Sequence, residues 1–186
     1  MQNTEVEISY QVDEPFWKSF FEKCRKDGEF VRHEKQYDEY YCPSHKDWLA
    51  VDDVREWLSI RERGGKTKVN YKNWHRTQSD LSCDEYETAV ENAENMRRIF
   101  AAIDMKKFIT VNKERDVFMI GDLEIAMDLC EGLGHFIEVE IKGQYESVEE
   151  AEAVLREFVA QTGLDKFEED HKGYPRLLLE KQKKNS

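Results

Sequence analysis

Polar and apolar positions alternate from the start of the chain. In EVEISY (residues 5–10) Glu5 and Glu7 share one face of an extended segment, about 7 Å apart, while Val6, Ile8 and Tyr10 hold the other. The period of two returns in residues 30–42 (FVRHEKQYDEYYC), 54–63 (VREWLSIRER), 66–74 (KTKVNYKNW), 82–90 (SCDEYETAV), 106–120 (KKFITVNKERDVFMI) and in two further segments between 122 and 143. Turn chemistry separates them: PSHKD at 43–47, Gly64-Gly65 as a hairpin turn, Gly121, and Gly132 to Gly134. A helical period replaces the alternation in three places. Residues 13–28 carry an Asp13 cap, Pro15 in the first turn, a stripe of Phe16, Trp17, Phe20, Phe21 and Cys24, and Gly28 beyond the end. Residues 91–105 repeat Ala93, Met96, Ile99, Phe100 and Ile103, and residues 147–163 run from a Ser147 cap to Gly163. The stretch 172–186 (KGYPRLLLEKQKKNS) reads as a short apolar anchor with a frayed basic end.

Eight strands and three helices with short connections predict an α+β fold in which an antiparallel sheet curls or closes into an eight-stranded barrel, amphipathic helices packed on its outside, within one domain spanning 1–186. Charges pair at even offsets along the strands: Glu5 with Glu7, Lys68 with Lys72, Glu85 with Glu87, Lys113 with Arg115, Glu138 with Glu140. A solvated outer face explains any one such pair. It does not explain why the opposite, apolar faces need three amphipathic helices. If the helices cover the exterior, acids and bases meet in a lumen with room for side chains and one small ligand.

Composition sharpens this picture. The 186 residues suffice for a core without disulfides, and 37% charged residues beside 12% aromatics suit a folded chain with some charge inside it. Lys plus Arg number 28 against 40 Asp plus Glu, and the resulting charge of −12 argues against a nucleic acid polymer or an anionic membrane as partner. Cys24, Cys42, Cys83 and Cys130 lack metal-finger spacing and read as buried, reduced thiols. With neither a basic-then-apolar leader after Met1 nor an apolar run of spanning length, the expectation is a soluble, cytoplasmic protein. The five histidines have no ligand spacing, Asp52 and Asp53 suit a solvated turn, and Tyr37, Tyr40 and Tyr41 suit strand packing.

An ordered set of motifs gives the charges a context: E-x-E at Glu5 and Glu7, QYDEYY at 36–41, LSIRE at 58–62, the lysine of VNYK, EYE at 85–87, NKER at 112–115, Asp128 in IAMD, GLGHFIEVE at 132–140 and a closing GYPRLLL. From residue 5 to about 180 the chain resembles the CYTH superfamily, the triphosphate-tunnel metalloenzymes that include class IV adenylyl cyclases, thiamine triphosphatases and inorganic triphosphatases, and QYDEYY and GLGHFIEVE are most similar to the cyclase branch. The resemblance implies an eight-stranded tunnel binding a triphosphate-containing small molecule with Mg²⁺ or Mn²⁺, and a homodimer is compatible with it. Carried over by position, Arg61, Lys72, Lys113 and Arg115 are expected phosphate ligands, with Lys68 added from strand parity; Glu85, Glu87 and Asp128 are further substrate-side acids. Glu5, Glu7, Glu138 and Glu140 are expected metal ligands or their supports, and Glu5, Glu7, Lys72 and Arg115 the catalytic set. The mixture of signs is chemically required, because carboxylates repel phosphate unless a hard cation bridges them. Three departures stand out: Ser9 replaces the lysine of E-x-E-x-K, Ser59 the first arginine of R-x-R, and Cys83 a common arginine. The resemblance therefore leaves three activities open: cyclisation of a nucleoside triphosphate, triphosphate hydrolysis, and binding without turnover.

Overall fold

The computed structural model describes residues 4–51, 54–75 and 82–185, so the turn expected at Asp52 and Asp53 lies outside the described residues. Eight strands, β1 (Thr4–Val12), β2 (Glu29–Pro43), β3 (Glu56–Arg63), β4 (Lys66–Trp74), β5 (Ser82–Val90), β6 (Met105–Ile120), β7 (Leu123–Cys130) and β8 (Gly134–Ile141), close into a barrel in the order β1-β5-β4-β3-β2-β6-β7-β8. Every pairing is antiparallel. The β3–β4 hairpin needs its glycines: Arg63 pairs with Lys66, and Gly64 and Gly65 between them have φ of 55° and 75°, the left-handed pair that suits the twist of the strands.

Four helices decorate the barrel: α1 (Glu14–Asp27), α2 (Ala93–Ala102), α3 (Val148–Thr162) and α4 (Tyr174–Asn185). Their ends follow the capping signals. Asp13 accepts the Phe16 N–H at 2.8 Å and Ser147 Oγ the Glu150 N–H at 3.2 Å, and α3 stops where Gly163 turns left-handed. The apolar stripes of α1 and α3, including Phe20, Cys24, Leu155 and Val159, cover the outward residues Val6, Ile8, Met127, Ile137 and Val139. On another side, α2 seats Phe100 against Tyr41 and Ile60. One end of the lumen is closed by a third cluster of Tyr40, Trp57, Val111, Phe136 and Tyr174, flanked by Leu177 to Leu179.

The fourth helix corrects the expectation for the C-terminus. Residues 174–185 form a regular helix instead of an anchor with a frayed end, because Leu177 to Leu179 find the apolar end of the barrel to dock on. The segment before α4 also has a place in the wall. Strand β1 meets β5 only through residues 4 to 6. Further along, Tyr10 bridges to Glu169 and the Asp170 N–H donates to the Ser9 carbonyl at 2.7 Å, so residues near 170 seal the seam that β5 leaves. No helix among the described residues is long and apolar enough to cross a membrane.

Candidate functional site

Strand parity sorts the barrel: odd positions of β1, β3, β5 and β6 and even positions of β2, β4 and β8 point inward, and the lumen is a cavity of about 520 Å³ lined mainly by ions. Acids stand on β1 and β8, where Glu7 lies directly opposite Glu140 and Ser9 opposite Glu138, and also on β2 and β5 as Glu34, Asp38, Glu85 and Glu87. Glu5 faces Cys83 across the β1–β5 pair. The bases come from β3, β4 and β6, with Arg61 opposite Lys68, and Lys72 opposite Glu85. Glu5, Glu7, Arg61, Lys68, Lys72, Glu85, Glu87, Lys113, Arg115, Glu138 and Glu140 all line the cavity, whereas Asp128, expected among the substrate-side acids, lies on the same inward face beneath Lys113 and Arg115 and does not reach it.

The ions are paired across the lumen. Lys72 contacts Glu5 and lies 3.3 Å from Glu7; Arg61 reaches Glu85 at 3.3 Å and Glu87 at 3.5 Å; Lys68 contacts Glu87; Glu140 holds Lys142 at 2.5 Å. The tightest set surrounds Asp128, which is 0% exposed. It accepts from Lys113 Nζ at 2.8 Å, from Arg115 Nε and Nη2 at 2.6 and 2.5 Å and from the Tyr174 hydroxyl at 2.6 Å, while Arg115 also contacts Glu138. Asp128 is thus turned toward the cations that support the wall.

Proton affinities differ from one carboxylate of the lumen to the next. Burial, reinforced by Glu7 and Glu85 and only partly countered by Lys72, pushes Glu5 up to about 9. Lys72 touches Glu5, but Glu7 and Glu85 draw on the same ammonium, so one cation serves several carboxylates and the proton stays. Burial and Glu7 raise Glu140 as well. On the other side burial and the neighbouring Arg115 outweigh Asp128 and depress Lys113 below an ordinary lysine, while Arg115 and Lys113 overcome the effect of burial on Asp128 and Glu138 and hold both below the usual carboxylate range. Burial thus penalises charge on Glu5, Glu140 and Lys113 even though each has a counter-ion, Lys72, Lys142 and Asp128 in turn.

Among the described residues no group of three or more His, Cys, Asp or Glu side chains is preformed as a cage. Glu7 and Glu140, juxtaposed like charges on neighbouring strands, would repel without a cation between them. One or two carboxylates completed by substrate oxygens is the donor set a hard divalent ion takes, and these residues fit it.

Several lumen residues escaped the sequence reading. Asp38 is buried, accepts from Arg63 Nη2 at 2.8 Å and lies 3.9 Å from Arg61. Arg63 was two residues from Arg61 on the same strand face, so parity carried its signal. Asn70 bonds both Glu85 and Glu87. Ser59 and Cys83, in positions where family arginines stand, accept from Arg61 Nε at 3.2 Å and donate to Glu5 at 3.6 Å, respectively. The Ser9 hydroxyl is buried without a hydrogen-bond partner. Tyr174 stands in the closing GYPRLLL motif, but nothing local tied it to Asp128, to which only the folding of α4 brings it.

The comparisons agree with this fold. A protein named "Putative adenylate cyclase MJ0240" from Methanocaldococcus jannaschii is 30% identical over 156 residues, 83% of this chain and 85% of that one. The solved structure of the PH1819 protein from Pyrococcus horikoshii OT3 is 26% identical, covers 95% of this chain and 99% of its own, and superposes with a TM-score of 0.79. A structure titled as a putative adenylate cyclase from Vibrio parahaemolyticus, 19% identical with a TM-score of 0.70 over 95% of this chain and 98% of that one, has the same fold. The CYTH domain model matches residues 3–174. A closed eight-stranded barrel with both signs of charge turned inward and a family match over nearly its whole length make this chain a member of the CYTH domain family, the triphosphate-tunnel proteins.

Proposed function

We propose that the lumen binds an organic triphosphate together with Mg²⁺ or Mn²⁺ and converts it, in the manner of an adenylyl cyclase, to a cyclic nucleotide and pyrophosphate. The observation that carries the reading is a cavity lined by both signs, Glu5, Glu7, Glu138 and Glu140 on β1 and β8 together with Arg61, Lys72, Lys113 and Arg115 on β3, β4 and β6, where burial raises the proton affinity of Glu5 and Glu140 and lowers that of Lys113. A polyphosphate beside the bases and a divalent ion beside the acids would relieve both at once. The sequence relative named as a putative adenylate cyclase supports the choice of reaction.

In this reading Arg61, Lys68, Lys72, Lys113 and Arg115 donate to phosphate oxygens, exchanging their present carboxylate partners for the ligand. Glu85 and Glu87 hold Arg61 and Lys68 in place, and Asp128 orients Lys113 and Arg115 without touching substrate. Glu5, Glu7, Glu138 and Glu140 would hold the metal, which when bound neutralises phosphate charge in the transition state. Lys72 and Arg115 then face the phosphates from opposite walls and steady the charge that develops as the ribose 3′-hydroxyl attacks the α-phosphorus. Tyr40, Trp57 and Trp74 give the same cavity an aromatic end, which suits an organic group better than bare tripolyphosphate.

The Ser9 hydroxyl, unpartnered where the family motif has lysine, favours a second reading in which water attacks slowly at the terminal phosphorus, or in which the protein binds without turnover. Incubating the purified protein with ATP, thiamine triphosphate and tripolyphosphate plus Mg²⁺ or Mn²⁺ and resolving the products distinguishes these. Cyclic nucleotide with pyrophosphate is the expected outcome; diphosphate with orthophosphate selects hydrolysis, and tight binding with no product selects the binder.

A further inference from the structure

The C-terminal helix reaches the phosphate-binding wall through a single buried hydroxyl. Tyr174, at the start of α4, is 7% exposed and donates to Asp128 Oδ2 at 2.6 Å. The same oxygen receives Lys113 Nζ at 2.8 Å and Arg115 Nη2 at 2.5 Å. The Lys113 ammonium also lies 4.2 Å from the centroid of the Tyr174 ring, and Phe136 packs edge-on against that ring at 4.8 Å. At the apolar end of the barrel, α4 is fastened by Leu177 to Leu179 and by Lys181 donating to the Gly132 carbonyl at 2.5 Å.

We infer that Tyr174 is a positioning residue for the two lumen cations, and that anion binding in the tunnel is coupled through it to the docking of α4. The proposal rests on the reading that the lumen accepts phosphate. One carboxylate oxygen shared among three donors binds each of them less tightly than one shared between two. With the hydroxyl present, Lys113 and Arg115 keep donor capacity toward the lumen; with it gone, they close onto Asp128. The ring holds the ammonium from the side, fixing where that capacity points. Coupling of this kind is reciprocal, so a ligand that draws Lys113 and Arg115 into the lumen strengthens the seat of Tyr174 on Asp128, and with it α4.

The experiment compares the full-length protein with Tyr174→Phe, which keeps ring and packing, and Tyr174→Leu, which removes both, using tripolyphosphate without metal as the probe. Calorimetry is expected to give about tenfold weaker binding for the phenylalanine variant and weaker still for leucine, on the scale of one charge-assisted hydrogen bond. Hydrogen exchange of the α4 amides is expected to slow when tripolyphosphate is added to the wild type, and to stay unchanged in Tyr174→Phe. A purely structural tyrosine lowers the thermal midpoint of both variants and leaves the affinity of the folded protein alone; that result, or α4 exchange indifferent to ligand in the wild type, overturns the inference. If the wild type itself fails to bind tripolyphosphate, the phosphate reading of the lumen falls and this proposal with it, whereas normal binding by Tyr174→Phe removes this proposal only.

Discussion

Replacing Asp128 with asparagine tests the interior electrostatics most directly. The carboxylate is wholly buried and accepts from Lys113, from two nitrogens of Arg115 and from Tyr174. Asparagine has nearly the same shape but one acceptor oxygen, and it turns an amide N–H₂ toward a cation. Two buried cations then face each other with Glu138 as their remaining close counter-charge. Removing one member of a buried ion set costs about 3–5 kcal/mol, a large part of the 5–15 kcal/mol typical of whole domains. At a urea dependence of about 2 kcal/mol per molar, the denaturation midpoint should fall by about 2 M. Tripolyphosphate should restore more stability to the variant than it adds to the wild type, since the ligand supplies the missing negative charge. Acid gives an independent check: burial alone would raise Asp128, but Arg115 and Lys113 hold it low, so its contribution is present above the ordinary carboxylate pKa and lost as pH falls through the lowered one. The variant should therefore lose less stability than the wild type on acidification. A midpoint drop below about 0.5 M urea, with no differential rescue by tripolyphosphate, would refute the idea that Asp128 is the keystone of the cationic wall.

Three other outcomes follow from the same geometry. Because burial drives Glu5 up to about 9, its share of stability in the metal-free protein is greatest below the ordinary value of 4.5 and is lost as pH rises toward 9. Thermal midpoints of Glu5→Gln should accordingly fall less between pH 5 and 9 than those of the wild type, and parallel curves would contradict the assignment; even one pKa unit of that displacement is about 1.4 kcal/mol. Phe20→Ala, in the core between α1 and the barrel, should cost about 3–5 kcal/mol by denaturant titration while leaving the tripolyphosphate affinity of the folded protein unchanged. Ser9→Lys puts an ammonium opposite Glu138 and should raise tripolyphosphate hydrolysis, measured as orthophosphate release; no gain counts against a missing cation as the limit on that reaction.

The barrel was legible because its inner and outer faces follow an alternation that only the two register shifts of β2 interrupt: Glu5, Glu7, Lys113 and Arg115 line the lumen while Val6, Ile8 and Val139 lie under helices. Caps at Asp13 and Ser147 were legible for a local reason, since their hydrogen bonds span three residues. What stayed hidden depends on distance along the chain. Tyr174 and Asp128 are 46 residues apart, and nothing near GYPRLLL announces a partner on β7. Leu177 to Leu179 read as an anchor because their own period is too short to declare a helix, and only the apolar end of the barrel supplies the surface that stabilises one. Asp38 and Arg63 are a different kind of omission, since both obeyed the parity rule that found Arg61.

The seam beside β1 has a consequence for how the molecule is made. The first strand finds its long partner only at residues 135 to 140 and its other edge is finished by Glu169 and Asp170, so a chain emerging from the ribosome carries an unfinished sheet until residue 170 has been synthesised. Pairings of such long range are slow to form, and the strand edges they protect stay available to neighbours in the meantime. For this protein, closure of the cylinder waits on residues near 170, which latch β1 across the 159 positions between Tyr10 and Glu169.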